Sequence, residues 1–178
     1  MAVYVGLIRA IGPATHARMK MAALREACEA AGLADVATVG NTGNVLFRFG
    51  GKPEAARKAL QAVIDGFGLG PANEVFIRTP GQMAEVVKAN PLAEAAAARP
   101  SQVGVCAFHT EPEDWTPVTR GHDGPEQTAT VGAHLVVAYP ESGSSKLNVE
   151  KRLGARMTQR NWKVFAGLAA KAAGLEKR

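Results

Sequence analysis

The chain is short of several things, and each shortage removes a class of protein. Only two of its 178 residues are cysteine, Cys28 and Cys106. Two are too few for a disulfide framework, and they do not stand at the close spacing of a metal-binding pair. No apolar run approaches the ~18 residues that carry a helix across a bilayer. The opening Met1-Ala2-Val3-Tyr4-Val5 has no basic stretch ahead of an apolar one, so it reads as a first strand and not as a secretory leader. The compartment these features imply is the cytoplasm, with both thiols reduced. Aromatics are scarce as well: six Phe, two Tyr and two Trp leave little with which to stack nucleic-acid bases. There is no Gly-x-Gly-x-x-Gly, P-loop, nucleophile elbow or kinase-type set. The four histidines (His16, His109, His122 and His134) lack zinc-ligand spacing, so no metal and no cofactor is assigned.

What is present is a substantial apolar fraction, 47%, which suffices for a buried core. Val3–Ile8 is an apolar run suited to a buried strand. Met21, Leu24, Cys28 and Ala31 share one face of a helix predicted over Met19–Ala31, with Gly32 placed to end it. Val36–Val39 and Val45–Phe49 read as strands around the turn residues Asn41-Thr42-Gly43-Asn44. In the second of these, Val45, Phe47 and Phe49 face one way, Asn44 and Arg48 the other. A helix beginning at Pro53 carries the stripe Ala56, Leu60, Val63, Ile64 and Phe67, and Glu74–Arg78 is a fourth strand. A short helix over 81–90 and the Ala-rich connector 93–100 follow.

The second half runs in a similar order. It has strands at Val103–His109, Glu126–Val131 and His134–Tyr139, a loop or short helix started by Pro112, and a helix over Ser145–Leu153 closed by Gly154. A strand at Ala155–Gln159 and a helix at Asn161–Ala173 complete it. Strand-helix-strand-strand-helix-strand is a split βαβ unit on an antiparallel sheet. Its double occurrence predicts an α+β protein of two tandem ferredoxin-like halves, residues 1–90 and 91–178. The duplication rests on element order, with no residue-level repeat beside it.

Charge is distributed unevenly. Residues 101–139 carry five acids against Arg120, whereas 140–178 carry nine basic residues against three acids. Within that basic segment, Gly143-Ser144-Ser145-Lys146 leads into a predicted helix. Free backbone N–H groups there suit an anion. Arg160 can grip a phosphate or carboxylate through two parallel hydrogen bonds, and Asn161 adds an amide. The expected site is therefore Ser144, Ser145, Lys146, Arg160 and Asn161, binding an anionic or phosphorylated small molecule. The plainer reading of the same residues is that Ser145 and Asn161 cap helices and Trp162 packs in the core.

Two other readings stay open. One is a single-stranded nucleic-acid-binding module, which the basic C-terminus favours and the placement of Asn44 and Leu46 at stacking positions opposes. The other is an enzyme without a recognised motif. Cys106 and His109, three apart on a strand, point to opposite faces, and Cys28 lies on an apolar helix face. No membrane partner is expected.

Several strings resemble a bacterial family known only as domain of unknown function 1697. These are Tyr4-Val5-Gly6-Leu7-Ile8-Arg9-Ala10-Ile11, Met21-Ala22-Ala23-Leu24-Arg25, Gly43-Asn44-Val45-Leu46-Phe47, Ser145-Lys146-Leu147 and Thr158-Gln159-Arg160-Asn161-Trp162. The resemblance covers nearly the whole chain and implies two tandem ferredoxin-like domains; it implies no activity. The chain departs from the family pattern at Ala10 (usually Gly), Gly12 (usually Asn) and Thr42 (usually Ser). Its Gly12–Lys20 loop also lacks the usual Gly-Gly-Lys-type stretch, so any site that loop forms in relatives is altered or lost here.

Overall fold

The computed structural model describes residues 1–141 and 145–178. It is an α+β protein with two four-stranded antiparallel sheets and helices. Two compact units divide the chain: Met1–Gln82 together with Leu168–Arg178, and Met83–Gly167. The division thus falls eight residues before the expected 90/91 boundary, and the last eleven residues belong with the first unit.

The first unit contains β1 (Ala2–Ile8), α1 (Pro13–Arg18), α2 (Met21–Ala30), β2 (Ala34–Thr38), β3 (Asn44–Phe49), α3 (Pro53–Asp65) and β4 (Val75–Arg78), with strand order β2-β3-β1-β4. Period-two alternation decides its layers. Tyr4, Ile8, Val45, Phe47, Val75 and Ile77 point to the face covered by α2 and α3, where they meet Leu24, Cys28, Leu60 and Ile64. Burying each large side chain there contributes roughly 1.5–3 kcal/mol. Helix α2 ends as its sequence predicts: Gly32 takes φ +85°, and the Gly32 and Leu33 amides donate to the carbonyls of Glu29 and Cys28. The segment 12–20 is not a plain loop, since Pro13 starts α1 and the Thr15 hydroxyl accepts the Gly12 amide. Ala10 holds φ +59°, a conformation that suits glycine better than alanine.

The second unit takes in the greater part of α4 (Pro80–Ala89) and then α5 (Ala93–Ala98), β5 (Val103–Phe108), α6 (Thr116–Thr119), β6 (Gln127–Val131), β7 (His134–Ala138), α7 (Val149–Leu153) and β8 (Met157–Asn161), with strand order β6-β7-β5-β8. It also holds the start of α8 (Trp162–Glu176). Cys106, Phe108, Val118, Leu135, Val137, Leu147 and Val149 form its core. Three elements differ from expectation. Helix α6 starts around Pro117, not Pro112. Helix α7 starts at Val149, because the Asn148 side chain and not Ser145 accepts an amide of its first turn, that of Lys151 at 3.1 Å. Strand β8 runs two residues later than predicted, which carries Arg160 and Asn161 to its end.

The two sheets share register at several positions. Ala37 opposes Leu46 in the first, and Ala129 opposes Val136 in the second. Val5 opposes Arg78, and Val105 opposes Arg160. The string Ala-Thr-Val-Gly occupies 37–40 and again 129–132, each time with the glycine at positive φ, +65° and +53°. Asn44 donates to the Val39 carbonyl, and His134 Nδ1 lies 3.1 Å from the Val131 carbonyl, at the same place in each hairpin. One four-residue string thus recurs at equivalent register positions of the two sheets.

Candidate functional site

The residues singled out from the sequence do not converge. Ser144 lies outside the described residues. Ser145 and Lys146 line a cavity of 540 Å³ with Asn148, Glu150 and Met157. Arg160 and Asn161 do not line it. Alternation along β8 puts Arg160 on the face opposite Met157, and the guanidinium is buried, donating to Thr158 Oγ1 and the Gln159 carbonyl, both at 2.9 Å. Burial pushes its pKa down to about 10. Asn161 caps α8, accepting the Val164 amide at 2.9 Å. The Ser145 hydroxyl donates to the Glu126 carboxylate and accepts the Leu147 amide at 3.1 Å, so its nearest charged neighbour is an acid. That grouping spans 19 residues and was invisible to a reading of local strings.

The basic C-terminal segment reaches a different cavity. In the first unit, Ala37, Val39, Leu46 and Arg48 lie on the sheet face turned away from α2 and α3. Against them lies the last part of α8. Lys171, Gly174 and Leu175 recur at i, i+3 and i+4, which places them on one stripe, and Arg178 follows just past the helix end. The cavity between these groups measures 800 Å³. Its chemistry is divided. Leu46, Val39, Ala37 and Leu175 are apolar, whereas Arg48, Lys171 and Arg178 are cationic. Arg48 is held in place: its Nε lies 2.9 Å from Asp35 Oδ2, and its Nη2 donates to the Leu175 carbonyl at 2.6 Å. Asp35 thereby neutralises Arg48 and leaves Lys171 and Arg178 as uncompensated charges. A Cβ built on Gly174 meets nothing within 4 Å, so the glycine leaves space that a side chain would occupy.

The remaining sequence readings find little purchase. Tyr4 is buried, its hydroxyl donating to the Gly51 carbonyl at 2.7 Å, and no aromatic side chain among the described residues is exposed. Both cysteines are buried and free. Burial, the larger cause, pushes the Cys28 thiol up to about 11 and the Cys106 thiol to about 12, which keeps both protonated and poor as nucleophiles. Cys106, a residue of the second core, donates to the exposed Gln159, whereas His109 lies past the strand end and is exposed. Among the described residues, no three His, Cys, Asp or Glu side chains are grouped to hold a metal, and no helix is long and apolar enough to cross a membrane.

Fold and cavities together define an α+β protein of two compact units, each with concave pockets on it. A family model described as protein of unknown function (DUF1697) matches residues 1–135, and the chain belongs to that family. The Ser145-Lys146-Leu147 and Thr158–Trp162 strings lie beyond the matched residues. No curated protein matches the chain. Among solved structures it is similar to that of a conserved bacterial protein, SP0830, from Streptococcus pneumoniae. The two are 19% identical with a TM-score of 0.71, over 97% of this chain and 99% of that one, a likeness of fold alone.

Proposed function

We propose that this chain binds a small organic anion with an apolar part, held in the cavity between strands β2 and β3 and the end of helix α8. One observation carries the reading. Lys171 and Arg178 stand without acidic partners among the described residues, on either side of Gly174 and Leu175 over an apolar floor. An apolar tail would lie on Leu46, Val39 and Leu175, and an acidic head would meet the two cations. The volume falls within the roughly 300–1,000 Å³ of small-molecule sites. The site keeps the anionic ligand class read from the basic C-terminal segment and moves its location from the Ser145–Arg160 group. In fold terms, the strand orders β2-β3-β1-β4 and β6-β7-β5-β8 support two ferredoxin-like halves in tandem. The two buried, unpaired thiols suit a cytoplasmic protein.

Thermal unfolding with octanoate, phenyl phosphate and inorganic phosphate tests the reading. A ligand at about 100 times its dissociation constant stabilises by about 2.7 kcal/mol. In a chain of this length that raises the midpoint by roughly 5–10 °C. Octanoate or phenyl phosphate is expected to give that shift, and Lys171→Glu and Gly174→Trp are each expected to remove it. A shift that survives Gly174→Trp, or equal shifts with inorganic phosphate alone, sinks the proposal.

A further inference from the structure

The second unit holds a buried charge that packing does not account for. The Glu126 side chain, next to the start of β6, is 1% exposed. Its Oε1 accepts the Ser145 hydroxyl, while its Oε2 has no hydrogen-bond partner among the described residues. A buried carboxylate oxygen without a donor carries an uncompensated desolvation cost. The nearest basic atom, His122 Nδ1, is 3.8 Å away, beyond hydrogen-bond distance, and it accepts the Gly124 amide at 3.3 Å. The chain passes close to the acid at Gly124, where a Cβ would stand 2.0 Å from Glu126 Oε2. Any other residue at 124 would displace the carboxylate.

Glu126 lines a cavity of 330 Å³, at the small end of ligand sites. Asp123 lies on the same wall, Lys146 and Arg152 bring two positive charges, and Pro125 and Leu147 supply apolar surface. Arg152 is anchored by donating to the Gly121 carbonyl at 2.8 Å and the Pro117 carbonyl at 3.3 Å. The Ser145 hydroxyl first, and the charge of Arg152 after it, hold the Glu126 carboxyl below its ordinary range, so it is ionised at neutral pH.

We infer that this cavity binds a small zwitterion of the α-amino acid type. The protonated amine enters on the Glu126 and Asp123 side and reaches Oε2 as the Gly124 backbone that covers it gives way, and the carboxylate faces Lys146 and Arg152. Both charges of such a molecule find an opposite partner, and the orphan oxygen finds its donor. An anion alone would meet Glu126 and Asp123, and a cation alone would meet Lys146 and Arg152. The site is independent of the first-unit cavity.

The test follows backbone amides of the full-length ¹⁵N-labelled chain by NMR during titration with L-alanine, methylamine and acetate. L-Alanine is expected to shift Gly124 and Leu147 saturably and to leave Gly174 in place, with methylamine and acetate each binding at least tenfold more weakly. Glu126→Gln keeps an acceptor for Ser145 and is expected to weaken L-alanine at least tenfold. Lys146→Glu, at an exposed position, is expected to do the same without disturbing the fold. Absence of a saturable Gly124 shift up to tens of millimolar L-alanine, or unchanged affinity in Lys146→Glu, overturns the inference. Binding of acetate as tight as that of L-alanine does so too.

Discussion

Ser145 shows how a residue read locally takes another role in the fold. Its neighbours suggest a helix cap, yet its hydroxyl serves a carboxylate brought near by the hairpin that follows Glu126. The consequence is titratable. The bond lowers the Glu126 pKa below its unfolded value of 4.5, so its stabilisation is complete above that pH and is lost as pH falls through the folded value. Ser145→Ala is expected to raise the Glu126 pKa toward 4.5 and to flatten the acid limb of a stability-versus-pH curve. Chemical-shift titration of the Glu126 carboxyl carbon checks it. An unchanged titration would mean that the charge of Arg152 holds the acid ionised by itself. Other single residues were legible: Phe47 and Arg48 take opposite faces because a strand allows nothing else.

Elements with a periodic apolar stripe were readable, and those fixed by distant partners were not. Helices α2 and α3 match their stripes to within two residues at either end. Helix α7 has only five residues, too few for a period to show, and its start depends on a side-chain cap. Asn148→Ala is therefore expected to cost about 1 kcal/mol in urea unfolding. A loss of that size would identify Asn148 as the cap, and no loss would return the role to solvent. The repeated Ala-Thr-Val-Gly was present in the sequence all along. Four residues in a chain rich in Ala and Gly carry little weight until strand register shows them to be equivalent. The Ser145, Lys146, Arg160 and Asn161 grouping failed for a related reason: β8 begins two residues later than its composition suggests, and alternation then sends Arg160 to the other face.

At the scale of the whole molecule, the two units do not follow the chain in order. Residues 1–82 lack the cavity wall that 168–178 provide, and Leu168 and Ala172 in that last segment are fully buried. Leu168→Ala is expected to cost roughly 2–5 kcal/mol. A chain ending at Gly167 should lose hydrogen-exchange protection in β3 of the first unit. Retention of β3 protection in the shortened chain would show that strand to be stable without the final segment. The family match reaches residue 135, whereas the likeness of fold to the pneumococcal protein spans 97% of the chain.

The placement of 168–178 also sets an order of events during synthesis. Residues 1–82 leave the ribosome first, but the partner of Leu46 and Arg48 follows only after the entire second unit has been translated. The half of the protein made earliest is the half finished last. Until then its future cavity is an open apolar surface, and the nascent chain has to be kept from sticking to its neighbours for as long as the remaining residues take to appear.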